Sequence, residues 1–326
     1  MVSTYFGCTD LPTGPAGVPQ MRVRGITLVD WTANGYSRAS ARAAVNEIAD
    51  VGTNQVVIVV TAYQQGASDN SVRIDPDKTP TEGSVSLVAA QARGREMEVV
   101  IKLHVDLDNG DWRGLIGPMD PASWFDSYGA FVGPWADWAQ QNGASGLVIG
   151  TELAGTIGHE DRWRSLIRMV RSRFGGDVLY AASWDEAPMV PFWDAVDRVG
   201  VDFYAPVSIR HDAGRVELLT GWQPWIERLH LLHKQTGKSV LLTEIGYRSV
   251  EGAGMRPYDF DATSTFDPAE QADLYWAAME AVGHTDWIEG VYWWNWLAAG
   301  GGGVGNTDYT PKDKMAEEEL AGAWGN

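Results

Sequence analysis

Two glutamates end apolar, β-branched runs in the same way. Residues 146–155 read GLVIGTELAG and residues 239–247 read SVLLTEIGY, so each run goes directly into Thr-Glu. A strand that fills a core has no structural use for an ionisable side chain, which makes Glu152 and Glu244 candidates for chemistry. Two carboxyl groups facing one another across a cleft suit glycoside hydrolysis. One gives a proton to the departing oxygen, and the other attacks the anomeric carbon or activates water, at an oxocarbenium-like transition state. Sugar substrates would also use the tryptophans. The chain has 16, and Trp31, Trp112, Trp184, Trp293, Trp294 and Trp296 fall at expected strand ends or loops. An indole can stack on a sugar face while its N–H bonds a hydroxyl. Alternation along a strand sends Trp294 and Trp296 to one face and Trp293 to the other, so the first two are the expected floor of a reaction subsite. His104, ending another run, is a further rim candidate. Asp185 and Glu186, after Trp184, read equally as cleft lining or as a solvated loop.

Eight apolar runs must hold these groups: 23–29, 55–60, 98–105, 146–151, 177–182, 199–204, 238–243 and 288–294. Between them, segments such as 37–50, 123–141, 159–173, 222–236 and 268–282 have helical spacing, several opened by Ser, Asp or Pro. Strands alternating with helices imply right-handed βαβ units and a parallel sheet. Eight units over this length predict a (β/α)8 TIM barrel, a single-domain α/β fold, spanning residues 22–326 behind a short N-terminal arm at 1–21. Catalytic groups in such barrels sit where strands end, at the C-terminal face. Glu152 and Glu244 are 92 positions apart, and three βα units of about 31 residues give about 93. Both therefore belong to one rim.

Composition narrows the partners. A net charge of −18 repels phosphate backbones and anionic lipid, so neither nucleic acid nor a membrane surface is expected, and neutral or cationic ligands fit better. No 18-residue apolar run and no basic-then-apolar leader is present, which leaves a secreted protein with its leader removed and a cytoplasmic protein both open. The single cysteine, Cys8, allows no internal disulfide and reads as an inert residue of the arm. Asp106, Asp108 and Asp111 loosely resemble a calcium loop but lack its Gly and terminal Glu, so sugar contact or loop capping is the better reading. Asp202, inside a strand, reads as a partner for a neighbouring strand end. The run GGGGVG at 300–305 follows the last strand with no βαβ unit after it, and reads as a rim loop rather than a dinucleotide site. A metal-dependent barrel hydrolase would carry His-x-His at the end of its first strand, where this chain reads ITLVDW. A phosphate-binding barrel would need basic loops, but Arg248 and Arg256 lie among Glu251, Asp259 and Asp261. No metal and no cofactor are implied.

Six stretches in order then carry a resemblance: KLHVDLDNGDWRG, VIGTELAGT, LYAASWDE, VGVDFYAPV, LLTEIGYRS and YWWNW with TDYTPK. Together, from about residue 22 to 315, the chain resembles glycoside hydrolase family 113, a β-mannanase family of the large retaining (β/α)8 clan. The resemblance implies an endo-acting β-1,4-mannanase working on a neutral β-linked polysaccharide or oligosaccharide. Glu152 would be the acid/base and Glu244 the nucleophile, Tyr204 would orient the nucleophile, and His104 would line the reaction subsite. One position departs. The clan has Asn before its acid/base, where this chain has Thr151, so the contact to the sugar 2-hydroxyl falls to another residue or is absent. Other neutral β-glycans, glucan or xylan, remain alternatives. A non-catalytic carbohydrate-binding barrel is a further one, although such decay would be expected to lose a glutamate and both are present. Carboxylates alone can supply proton transfer and nucleophilic attack, so turnover is expected to survive exhaustive chelation. Loss of all activity, restored by one particular ion, would contradict this.

Overall fold

The structure, a computed structural model, describes residues 21–261 and 263–325. The expected N-terminal arm and Cys8 lie outside the described residues, except Met21, which is buried against the core. Eight strands form: β1 (Val23–Val29), β2 (Gln55–Gln64), β3 (Glu98–Leu107), β4 (Gly146–Thr151), β5 (Asp177–Ser183), β6 (Val199–Phe203), β7 (Val240–Ile245) and β8 (Ile288–Leu297). They pair in sequence order, all parallel, and β8 closes onto β1. This is the predicted (β/α)8 TIM barrel. Five helices fall where helical spacing placed them: α1 (Ala39–Asp50), α3 (Pro121–Gln141), α4 (Glu160–Arg171), α5 (Arg215–Thr236) and α6 (Pro268–Gly283). Two more, α2 (Glu82–Gly94) and α7 (Met315–Trp324), complete the seven among the described residues. Local chemistry starts several of them. The side chains of Thr81, Asp120 and Asp267 accept first-turn amides of α2, α3 and α6, and Pro121 and Pro268 open the last two.

The crossover from β5 to β6 has no α-helix. Residues 184–198 pass through two short 3₁₀ turns, Ala187–Met189 and Trp193–Ala195. Pro188 and Pro191 remove amide donors there, and a ring at either position would break an α-helix.

Inside the barrel, Val23, Val57, Val100, Val148, Leu179, Ala181, Leu241 and Tyr292 form an apolar floor. Gly25 makes room for it: a Cβ at that position would lie 2.1 Å from the Tyr292 ring. Alternation from this floor points Lys102 and His104 of β3 inward above Val100.

Three strands break that alternation near their C-terminal ends. In β4 the pairing with β5 shifts between Val148 and Thr151; in β7 the pairing with β6 skips from Leu242 to Glu244; in β8 the pairing with β1 skips from Trp294 to Trp296. Each extra residue is a bulge, which re-aims the side chains beyond it.

Candidate active site

Glu244 sits at the bulge of β7, opposite Asp202 of β6 in the pairing register. Both meet the ammonium of Lys102, which is fully buried. Its Nζ lies 2.7 Å from Glu244 Oε1 and 2.9 Å from Asp202 Oδ1, and it donates to the Thr243 carbonyl at 2.9 Å. Thr243 Oγ1 also donates to Asp202, at 2.8 Å. The other Glu244 oxygen accepts from the Tyr204 hydroxyl at 2.8 Å. His104 Nε2 is 3.5 Å from Glu244 Oε1, long for a hydrogen bond, and its ring stacks on Trp294 with centroids 5.9 Å apart and planes 15° from parallel. Burial alone would raise the Glu244 carboxyl. The nearby positive charge, Lys102 first, overrides burial and holds it well below the usual carboxylate range. Burial and then the Glu244 charge push Asp202 well above its ordinary value, against the pull of Lys102. The cluster thus keeps its negative charge on Glu244. Burial, reinforced by Arg113, lowers His104 to about 4, so at neutral pH the imidazole is uncharged and the positive charge acting on Glu244 comes from Lys102 and, after it, Arg113.

Glu152 follows the bulge of β4 with φ at +50°, a left-handed conformation that non-glycine residues seldom adopt. One carboxyl oxygen, Oε2, accepts from the Trp112 indole at 3.1 Å and lies 4.0 Å from Arg113. Trp112 reaches it by lying flat over Gly114, where a Cβ would come within 2.2 Å of the ring. Burial first, then the charge on Glu244, raise the Glu152 carboxyl, and Arg113 and the indole only partly oppose them. The two glutamates therefore have opposite tendencies: Glu244 towards the anion, Glu152 towards the acid.

The remaining candidates divide. Trp112, Tyr204, His104 and Trp294 gather around the glutamates. Trp31 stands 41% exposed after β1. Trp296 does not share a face with Trp294. Residue 295 is the extra one in the β8 bulge, so Trp296 turns outward, fully buried, and its indole donates to Glu47 of α1 at 3.2 Å. Trp293 is also outward, stacked on Tyr275 of α6 at 3.8 Å. Trp184 meets Trp225 of α5 edge-on and, with Asp185 and Arg228, lines a cavity of about 330 Å³ beside α5, where the β5–β6 crossover has no α-helix. The cleft reading for Trp184 is corrected accordingly, while Asp185 lines that cavity and also accepts from the Ser183 hydroxyl at 2.7 Å. Glu186 is neither cleft lining nor solvated but buried, accepting from Tyr180. Asp106 pairs with Arg113 at 2.6 Å, and Asp108 pairs with Arg73 and Lys78. Among the described residues, no group of three or more His, Cys, Asp and Glu is placed to hold a metal ion.

Sequence reading passed over Lys102 and Arg113. The signal for Lys102 was available: a charge between Ile101 and Leu103, two positions before His104 and on the same strand face.

Two outcomes follow from this geometry. Replacing Lys102 by Met strands two buried carboxyls, so stability should fall by about 3–5 kcal/mol. The surviving folded enzyme should lose the depression of Glu244. If Glu244 serves as a catalytic anion, the acidic limb of the kcat/KM profile should move to higher pH, and an unmoved limb would refute that role. Trp294→Ala should lower kcat/KM by about ten-fold or more with little change in melting temperature, whereas Trp296→Ala should cost about 3–5 kcal/mol of stability through an unfilled cavity. Kinetics and thermal unfolding of the pair separate the two roles.

The family model described as Glycoside Hydrolase Family 113 matches residues 24–314. No curated protein matches the chain. Among solved structures, a β-mannanase of that family from Alicyclobacillus acidocaldarius, in complex with ManMIm, superposes with a TM-score of 0.85 at 24% identity, covering 93% of this chain and 96% of that one. A β-1,4-mannanase of the same family gives 0.87 at 23% identity over 94% of this chain and 99% of that one. A β-glucuronidase from Faecalibacterium prausnitzii gives 0.62 at 14% identity over 93% of this chain but only 48% of its own. At these identities the likenesses show a shared barrel. The family match spans nearly the whole barrel, from β1 to the start of α7, and includes both glutamates; the chain belongs to glycoside hydrolase family 113.

Proposed function

We propose that the protein is a retaining endo-β-1,4-mannanase in which Glu244 is the nucleophile and Glu152 the acid/base. The observation that carries the reading is the opposed environments of the two carboxyls, one beside a buried ammonium and the other buried beside the resulting anion. In the first step a Glu244 oxygen attacks the anomeric carbon while the Glu152 proton passes to the departing glycosidic oxygen, so the C–O bond breaks as the glycosyl ester forms. Trp112 occupies Glu152 Oε2 as a donor, which leaves the proton on Oε1. Esterification removes the negative charge of Glu244. The repulsion that added to burial in raising Glu152 then disappears, and its carboxylate can take a proton from the water that opens the ester. Tyr204, bonded to Glu244 Oε2, holds the attacking group in one rotamer. Trp294, stacked against His104, offers the aromatic face at the mouth. Mannan as the substrate is favoured by the family and by the two mannanases to which the fold is similar; the net charge of −18 suits a neutral glycan.

The roles separate experimentally. An aryl glycoside with a very acidic phenol needs little proton assistance. Glu152→Ala should therefore still form the covalent intermediate, stall at its hydrolysis, and be rescued by azide to the β-glycosyl azide. Glu244→Ala should fail at the first step whatever the phenol, and azide in the vacated space should give the α-azide. Exchanged products would exchange the roles. Absence of rescue in both variants, with folding intact by circular dichroism, would dismiss the pair. Reducing-end release from mannan, glucomannan, xylan and glucan by the wild type tests the substrate, and faster turnover of xylan or glucan would overturn the mannan assignment.

A further inference from the structure

Glu186 is a carboxyl buried in an aromatic wall, and nothing in the chemistry above uses it. It is 1% exposed and lies behind β5, on the helical side of the barrel. A plug at that position would be cheaper as an apolar residue, because burying a carboxyl is costly unless its bonds are specific. Its bonds are specific. Oε1 accepts from the Tyr180 hydroxyl at 2.6 Å and Oε2 accepts from the Ser183 amide at 3.1 Å. The Tyr180 ring is held on several sides: Trp163 at 5.1 Å, Phe192 at 5.3 Å and Trp193 at 6.1 Å. A phenol whose proton is committed to Glu186 must turn a lone pair elsewhere. That lone pair accepts from the Leu153 amide at 3.1 Å.

Leu153 is the residue immediately after Glu152. Three bonds straddle the left-handed backbone there. The Thr151 hydroxyl donates to the Leu103 carbonyl at 3.0 Å, the Glu152 amide donates to the Ala181 carbonyl at 2.7 Å, and the Leu153 amide donates to Tyr180. The first two are made to backbone carbonyls of β3 and β5; the third is made to the outward-facing side chain of Tyr180 on β5, itself held by Glu186. A non-glycine residue with positive φ persists only where its surroundings over-determine it. Gly150, just before, completes the fit, since a Cβ at that position would meet Trp163 at 2.7 Å and Tyr180 at 2.9 Å.

We propose that Tyr180 and Glu186 are positioning residues for the acid/base: through the Leu153 amide they fix the Glu152 backbone in the conformation that aims its carboxyl at the glycosidic oxygen. The inference rests on Glu152 being the acid/base. Neither Tyr180 nor Glu186 touches the substrate.

The test is a series of aryl β-mannobiosides whose phenols run from strongly to weakly acidic, with kcat/KM as readout. Tyr180→Phe keeps the packed ring and removes the hydroxyl. It should lower kcat/KM by about ten- to a hundred-fold for the weakly acidic phenols, which need a well-placed acid, and by no more than about two-fold for the most acidic one. Glu186→Leu should do the same. Glu186→Gln retains an oxygen for the Tyr180 proton and should recover most of the rate. If Tyr180→Phe does not fold, the two Glu186 variants carry the comparison alone. Equal loss across the series, or no loss, would overturn the proposal in favour of a purely structural role. Glu152→Ala run beside them separates the two failures. If it steepens the leaving-group dependence and the Tyr180 and Glu186 variants do not, only the positioning role falls. If Glu152→Ala itself leaves the dependence flat, the acid/base assignment falls and takes the positioning role with it.

Discussion

The Lys102 ammonium is buried in a barrel whose floor is otherwise apolar, and the electrostatics of the mouth follow from it. A lone cation at zero exposure would be untenable; it persists by meeting two carboxyls and a carbonyl. That requirement brings Asp202 and Glu244 to one height on neighbouring strands. Only one of them keeps the negative charge, because two carboxylates in so small a volume repel one another. Glu244 keeps it, and burial first, then that charge, raise Glu152. The ammonium is the leading influence that lowers Glu244, and the Glu244 charge adds to burial in raising Glu152. Buried ionic clusters of this kind are weak sources of stability, so their presence here is better explained by the chemistry they prepare.

Geometry is set by a second constraint, the interrupted strand register. A strand that alternates strictly cannot present neighbouring residues to one side. The bulge in β7 allows Thr243 and Glu244 both to reach the Asp202–Lys102 cluster, and the bulge in β4 precedes the left-handed turn at Glu152. In β8 the same device separates Trp294, at the mouth, from Trp296, locked under α1. Bulges concentrate at barrel rims for this reason: closure of the barrel fixes the wall, and freedom to aim side chains remains only at its ends.

The missing helix after β5 has its own consequence. Without helical cover, the segment 184–198 folds back with Phe192 and Trp193 against Tyr180 and carries Glu186 into the wall behind the acid/base candidate. The groove beside Trp184 and Trp225 is left on the outside.

The sequence by itself determined the number of strands, their order and the placing of Glu152 and Glu244 at one rim. Those features depend on local apolar patterns, on caps such as Asp120 and Asp267, and on a repeat length that fits one closed architecture. His104 and Trp112 were legible for the same reason, each lying at or just past a strand end, whereas Tyr204 came from the family resemblance. Tertiary structure alone decided which side of the wall each residue faces once the register breaks, because a bulge is specified by both paired strands and leaves no mark in either one. Trp296 turned outward on that account, whereas Trp184 continues the outward face of Tyr180 and Ala182 by ordinary alternation. It also decided the role of Lys102, whose strand face could be counted but whose partners come from β6 and β7, about 100 and 140 residues further along the chain. An ion pair is a property of distance and burial, and neither is written in a single segment.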